Sequence, residues 1–377
     1  MKTYKISEIE NKRIYGRTTP IEKDKPLVLF WAASALELTV KASEVYLFIS
    51  SDYNRNEPWI SIYFNGRPIS RFMIEKKEKE RYCIVKNMNK DTENKITIYK
   101  DTQPMPDDGP HSLLIHEVGL SEDGIFCPLK PNKMKIEFIG DSITSGEGMA
   151  GGPNDWDWIP QLFVGSATYA AQTARLLNAD FNVVSQSGWG ICWAWDGNRN
   201  NIIPPFYEQI CGVSRSDYQI SLGSQLPYDF KGGADFVVVN LGTNDNGAFY
   251  QPPWKEDEFG DKYKLNIDKD GKVCEKDSNT IINGVKDFLK VIRKNNPHAT
   301  IIWVWGMIKL QLVPPLIQYA VEEYIFESGD KNVFTLELDA MEDVEVYDED
   351  KGSRAHPGPK THKLAANKLC SFIKNPC

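Results

Sequence analysis

Ile136-Glu-Phe-Ile-Gly-Asp-Ser-Ile-Thr-Ser-Gly146 is an apolar run that breaks at Gly140 and delivers Asp141 and Ser142 to a turn. Short continuous apolar runs of this kind suit a strand of a parallel sheet covered on both faces. Ligands of such sheets bind in the crevice outside the carboxyl ends of the strands, so Ser142 stands where chemistry has room to occur. A serine hydroxyl is a weak nucleophile. It needs a general base within hydrogen-bond reach and N–H donors aimed at the oxyanion that its attack creates.

Both have candidates further along the chain. A second apolar segment, Phe181 to Ser185, runs into Ser187-Gly188, and a third, Phe236 to Leu241, runs into Gly242-Thr-Asn-Asp245. His356-Pro357 precedes a terminal amphipathic segment. A glycine offers an unobstructed backbone N–H, an asparagine offers an amide N–H, and a histidine with a reference pKa near ~6.5 suits proton transfer at neutral pH. Together these residues compose a toolkit for acyl transfer. After Pro128 the pattern predicts strand 134–140, helix 167–178, strand 181–185, strand 235–241, helix 279–295, strand 299–305, helix 314–328, strand 332–337 and helix 358–374. Alternation of this kind implies an α/β fold with a parallel sheet between helices. Ser166 or Thr168 can cap the first helix, and Asn296-Pro297 stops the second. Residues 246–278 form a long polar insertion after Asn244, at a position suited to shaping a substrate site.

At these residues the chain resembles the SGNH (GDSL-type) hydrolase superfamily, named for Ser, Gly, Asn and His in four sequence blocks. The resemblance implies a three-layer α/β/α, flavodoxin-like domain. It also implies Ser142 as nucleophile, His356 as base, and an oxyanion hole built from Ser142, Gly188 and Asn244. One departure matters. The family places an Asp three, sometimes two, residues before the histidine, and here those positions hold Ser353 and Arg354. The acid's work is to fix the imidazole tautomer and stabilise the imidazolium, and a backbone carbonyl can do the first. A Ser-His dyad supported by a carbonyl is one reading; an acid from Asp348, Glu349 or Asp350 folding back is the other.

The first ~125 residues show period-2 patterning and no long amphipathic helix. Leu27–Trp31, Ala35–Val40, Val45–Ile49, Trp59–Phe64 and Lys95–Tyr99 are β-rich, and Asn65-Gly66 is a tight-turn signal. The mixed-sign run Glu75-Lys-Lys-Glu-Lys-Glu80 reads as a solvated turn or edge. The expected organisation is a jelly-roll-like β-sandwich over 1–128 followed by the catalytic domain over 129–377. That order is similar to carbohydrate esterase family 2, with Tyr15-Gly-Arg17 and Phe30-Trp31 as further matches. The resemblance implies removal of acetyl groups from plant-wall oligosaccharides or polysaccharides, of manno or xylo type. The alternatives are a lipase- or thioesterase-like acyl hydrolase, and a non-catalytic carbohydrate-binding protein on a hydrolase fold.

Tryptophans 156, 158, 189, 193, 195 and 254 cluster in sequence beside the proposed blocks. A pyranose packs its C–H face on an aromatic ring while its hydroxyls bond at the edges, so Trp189, Trp193 and Trp254 are the candidate sugar contacts. Asp141 and Asp245 are expected to brace the turns that hold the working groups. The net charge of −8 argues against nucleic acid and anionic membranes as partners. No signal core and no membrane span appear, which leads to the expectation of a cytoplasmic protein. The seven cysteines and the other histidines lack paired metal-ligand spacing, so neither a metal nor a cofactor is expected.

Overall fold

The computed structural model describes residues 1–258, 260–344 and 350–375, so Asp348, Glu349 and Cys377 lie outside the described residues. The chain forms two compact units. The first comprises Met1–Lys133, Trp158–Ser166 and Glu208–Tyr228, and the second Met134–Asp157, Ala167–Tyr207 and Asp229–Cys377.

The first unit contains strands β1 (Lys2–Lys5), β2 (Lys12–Tyr15), β3 (Leu27–Val28), β4 (Ala35–Lys41), β5 (Glu44–Asp52), β6 (Trp59–Phe64), β7 (Arg67–Met73), β8 (Lys77–Lys86), β9 (Asn94–Lys100), β10 (Ser112–Leu120) and β11 (Ile125–Cys127). They pair antiparallel into two sheets, ordered β1-β10-β5-β8, with β3 also on β10, and β11-β4-β9-β6-β7, with β2 also on β4. Alternate residues point inward. In β5, for example, Val45, Leu47 and Ile49 are buried while Tyr46, Phe48 and Ser50 are not. Those inward residues join Leu36, Leu38, Ile60, Ile62, Ile96 and Ile98 of the other sheet in one apolar core. Asn65 and Gly66 both have left-handed φ, 49° and 82°, the backbone that a two-residue hairpin between β6 and β7 requires. The charged run at 75–80 enters β8, an exposed edge strand, where Lys and Glu discourage pairing with another chain.

A break at residue 128 was the expected boundary, yet two later segments return to this unit. The Trp31 indole donates to the Ile210 carbonyl at 2.7 Å. The buried Asp101 carboxylate accepts from Ser166 N–H at 3.0 Å, the Ser61 hydroxyl at 2.5 Å and Arg71 Nε at 2.8 Å. Neither segment carries the strand or helix period over a useful length, so pattern alone had no means of assigning them.

The second unit is built on strands β12 (Lys135–Gly140), β13 (Asp180–Ser185), β14 (Phe236–Asn240), β15 (Thr300–Trp305) and β16 (Val333–Glu337), all parallel, in the order β13-β12-β14-β15-β16. Its helices are α1 (Ser142–Ser145), α2 (Tyr169–Leu177), α3 (Thr243–Ala248), α4 (Glu275–Asn295), α5 (Pro314–Ser328) and α6 (Pro359–Lys374). Every strand and long helix expected from the sequence is present, with ends within a few residues. Thr168, rather than Ser166, caps α2, accepting from Ala171 N–H at 3.4 Å. The α4 helix begins four residues early because Glu275 and Asp277 in its first turn complement the helix dipole. Helices α2 and α6 pack together, as do α4 and α5. Right-handed crossovers from a first strand toward opposite edges place these pairs on opposite faces, giving three layers. No helix among the described residues is long and apolar enough to cross a membrane.

A buried histidine links α2 to α6. His362 is fully buried, its Nδ1 accepts from Tyr169 N–H at 3.0 Å, and its ring stacks on the Tyr169 ring. Burial, then the nearby His356, pushes its pKa from 6.5 down to about 3. Below pH 6.5 the unfolded chain takes up a proton that the folded chain refuses until about pH 3, so this group removes stability as pH falls through that window. The loss amounts to ~1.4 kcal/mol per pH unit. His362→Asn, which keeps an acceptor for Tyr169, is expected to unfold at lower temperature at pH 7 but to show a flatter dependence of Tm on pH between 6.5 and 4. Thermal melts across that range check it, and an unchanged slope would remove His362 as the cause.

Candidate active site

The register of three neighbouring strands assembles the site. Gly140 at the end of β12 pairs with Ser185 at the end of β13 and with Asn240 at the end of β14. Asp141-Ser142, Ser187-Gly188 and Gly242-Thr-Asn244 therefore leave the sheet at one level. Strand order reverses at the β12–β14 pair, the switch point at which an open α/β sheet has its crevice. Gly140 permits the sharp exit, because a Cβ there would sit 2.0 Å from Thr144 Oγ1.

Ser142 opens the short helix α1. Asp141 caps it, accepting from Ile143 N–H at 3.0 Å. From the far end of the chain, His356 Nε2 lies 2.8 Å from Ser142 Oγ. The other ring nitrogen, Nδ1, lies 3.1 Å from the backbone carbonyl of Arg354. A carbonyl only accepts, so it holds the proton on Nδ1 and leaves the Nε2 lone pair facing the serine hydroxyl. Among the described residues, it is main chain two residues before the histidine that stands at the ring nitrogen a family Asp would orient. Asp350, the described member of the acidic run, is committed elsewhere: its carboxylate accepts from Lys360 N–H, Thr361 N–H and the Thr361 hydroxyl at the start of α6.

Aiming that carbonyl requires unusual backbone. Arg354 and Ala355 both have left-handed φ, 53° and 58°, which costs a non-glycine residue on the order of 1–3 kcal/mol. The loop is over-determined by its neighbours: Ser353 N–H bonds to Gly148 O at 3.0 Å, Arg354 N–H to Asp155 O at 3.0 Å, and Gly352 N–H to His356 O at 2.9 Å. Gly148 makes the approach possible, since a Cβ on it would lie 2.6 Å from Ser353 O and 3.0 Å from His356 Cβ.

Asn244 lies in α3. Its amide donates to the Trp189 carbonyl at 2.9 Å and to Asp141 Oδ2 at 3.4 Å, tying together the three loops that carry Ser142, Gly188 and Asn244. Burial pushes the Asp141 carboxyl up to about 7, against the lowering effect of the Ile143 N–H and the Thr243 side chain. Asp245, also fully buried, is raised by the same desolvation; it accepts from the N–H groups of Ile191, Cys192 and Trp193 at 2.9, 2.8 and 3.0 Å. These three bonds brace the turn that follows Gly188.

The tryptophans divide by burial. Trp193, expected at the sugar, is fully buried between Phe249 and Tyr263, so its ring presents no face to a ligand. It anchors the insertion, where Tyr263 pairs its backbone with Trp254 and donates its hydroxyl to Asp277. Trp189 is buried against Phe206, and Trp254 is partly exposed. Two rings stand well open, Trp156 at 65% exposed and Trp195 at 53%, and Trp195 lies against Gly188. Sequence reading counted Trp195 among the neighbouring tryptophans without singling it out, because nothing local shows which way a loop side chain turns. Glu147 went unnoticed although it directly follows the Ile136–Gly146 stretch.

Residues 138–364 match the GDSL-like Lipase/Acylhydrolase family. An acetyl xylan esterase, Est2A, from the rumen bacterium Butyrivibrio proteoclasticus has a solved structure that superposes with a TM-score of 0.93 at 36% identity, covering 100% of this chain and 99% of that one. The cellulase/esterase CelE of Acetivibrio thermocellus is 27% identical over 349 residues, 92% of this chain and 37% of that protein. A family two carbohydrate esterase from Clostridium thermocellum, solved with cellohexaose, shares the fold at a TM-score of 0.76 and 24% identity, over 97% of this chain and 98% of that one. The chain spans about two-fifths of the length of the curated relatives it matches. With the Ser, Gly, Asn and His blocks converging at one sheet switch point, and the match extending over more than half its length, the chain belongs to the GDSL-like lipase/acylhydrolase family.

Proposed function

We propose that this protein is a carbohydrate acetyl esterase, a serine carboxylic-ester hydrolase that removes O-acetyl groups from plant-wall-derived oligosaccharides of xylo or manno type. The observation that carries the reading is the Ser142 Oγ to His356 Nε2 contact of 2.8 Å, with the imidazole turned by the Arg354 carbonyl. Nε2 takes the Ser142 proton as Oγ attacks the acetyl carbonyl. The oxyanion that forms is held by the N–H groups of Ser142 and Gly188 and by the Asn244 amide. Collapse of the tetrahedral species breaks the bond to the sugar oxygen, which receives the proton from Nε2. Water, deprotonated by His356, then attacks the acetyl-Ser142 ester and releases acetate.

The sugar reading is supported by the relatives and by the open aromatic surface. The open Trp195 adjoins Asp196 and Asn198 in the chain, and Trp254 packs against Gly197 of the same loop, so an apolar face and polar groups suited to a pyranose lie together. Trp189, next to Gly188, is the side chain in line to bound the acyl group.

The test is acetate release, with product masses, from acetylated xylo- and manno-oligosaccharides, run beside p-nitrophenyl acetate and octanoate. Sugar-dependent acetate release and preference for the acetyl ester are expected. Preference for octanoate would return the longer-chain acyl hydrolase, and sugar binding without hydrolysis of any ester would return the carbohydrate-binding reading.

A further inference from the structure

The turn that presents the nucleophile also presents an acid with no part in the dyad as described above. Glu147 lies five residues after Ser142, and its N–H bonds to the Ser142 carbonyl at 3.0 Å. Its carboxylate is buried, with the side chain 6% exposed, and bridges two groups of the histidine loop. Oε1 lies 3.3 Å from Arg354 Nε and Oε2 lies 3.8 Å from His356 Nε2.

A carbonyl on Nδ1 orients the ring but brings only a dipole to a full positive charge. When Nε2 takes the serine proton, a carboxylate within ~4–6 Å opposes that charge much more strongly. Burial of Glu147 keeps its field from being screened as a surface charge would be. The separation also suits the chemistry. At 3.8 Å Oε2 is too far to accept a hydrogen bond from Nε2, so it does not compete with Ser142 Oγ or with the leaving oxygen for that proton. Arg354 serves both parts: its carbonyl aims the ring and its guanidinium pairs the buried acid, while Nη1 donates to the Trp156 carbonyl at 3.2 Å.

We propose that Glu147 is the positioning acid of this site, supplying from the Nε2 side the electrostatic support that the family usually draws from an Asp on the Nδ1 side. The inference rests on the esterase reading, yet it concerns the dyad and not the sugar. The other titratable groups around the Glu147–His356 pair are Arg354 on the histidine loop, Asp141, whose carboxyl Glu147 helps to raise, and His362 on α6, which burial holds neutral.

The experiment compares wild type, Glu147→Gln and Glu147→Asp on p-nitrophenyl acetate and on an acetylated xylo-oligosaccharide, with kcat and KM measured across pH. Glutamine keeps the shape and an acceptor for Arg354 but removes the charge. Glu147→Gln is expected to lower kcat about tenfold with KM within about twofold, and to move the acidic limb of kcat/KM to lower pH by about 0.5–1 unit. The sign follows from the imidazolium losing its neighbour, so the ring is deprotonated, and active as a base, at lower pH. Glu147→Asp keeps the charge and is expected to leave the acidic limb near that of wild type. A folded Glu147→Gln protein with lowered kcat but an unmoved acidic limb would reduce Glu147 to a strut for Arg354 and overturn the proposal. The sugar reading fails separately, if wild type hydrolyses p-nitrophenyl acetate but no sugar ester. Should no ester be hydrolysed, the His356 ring is titrated by NMR in wild type and Glu147→Gln; a midpoint that does not fall in the variant overturns the proposal.

Discussion

Ser142→Ala is expected to lower acetate release from acetylated xylo-oligosaccharides by about 10⁴–10⁶-fold while the protein stays folded and continues to bind the sugar. The size follows from what is removed. Without Oγ there is no covalent route, and the remaining donors act only on a direct attack by water, which accounts for the residual rate in serine hydrolases. The fold has little reason to change. Ser142 sits at the start of a four-residue helix whose cap is Asp141, and its hydroxyl contact with His356 is a single hydrogen bond. The measurement is acetate release by equal amounts of the two proteins, after circular dichroism and thermal melts show matching folds. Hydrolysis by the variant at the wild-type rate would exclude Ser142 as the nucleophile and return the search to another hydroxyl.

Asn244→Ala is expected to have the second largest effect, a fall in kcat of about 10²–10³-fold, or ~2.7–4 kcal/mol of transition-state stabilisation, with KM little changed. In the resting site one amide N–H is held by the Trp189 carbonyl at 2.9 Å, while the longer 3.4 Å contact to Asp141 is the one easily given up to an oxyanion. Removing the amide also loosens the tie between the nucleophile turn and the Gly188 loop, so a modest drop in Tm accompanies the loss. Asn244→Asp separates the two contributions. It preserves size but offers no donor and brings negative charge to the oxyanion, so it should be at least as inactive as the alanine variant. An active Asn244→Asp enzyme would place the third donor elsewhere.

Much of the second unit was legible because its signals are local. Apolar runs such as Phe236–Leu241 and the amphipathic period of 279–295 report burial on both faces or on one, and Thr168 and Pro297 mark helix ends by their own chemistry. In the first unit five strands stood out, but β1, β2, β7, β8, β10 and β11 were not singled out. The exposed, charged β8 forms because β5 offers it a hydrogen-bonding edge, a fact outside its own sequence. The same limit hid the return of Trp158–Ser166 and Glu208–Tyr228 to the first unit. Their anchors are single hydrogen bonds and buried carbonyls supplied by residues more than sixty positions away.

The sequence by itself determined the α/β class and the three strand ends, and it singled out Ser142, Gly188, Asn244 and His356 as candidates, since each lies in a short motif whose turn chemistry is local. Only the tertiary structure decided that Trp193 is core while Trp195 is open, and that the Arg354 carbonyl lies against the imidazole Nδ1. It alone placed Glu147 beside Nε2. Each of these depends on two loops more than two hundred residues apart, or on a side chain's direction within one. Such choices are made by packing and hydrogen-bond satisfaction in the assembled fold, on which residue type and spacing are silent.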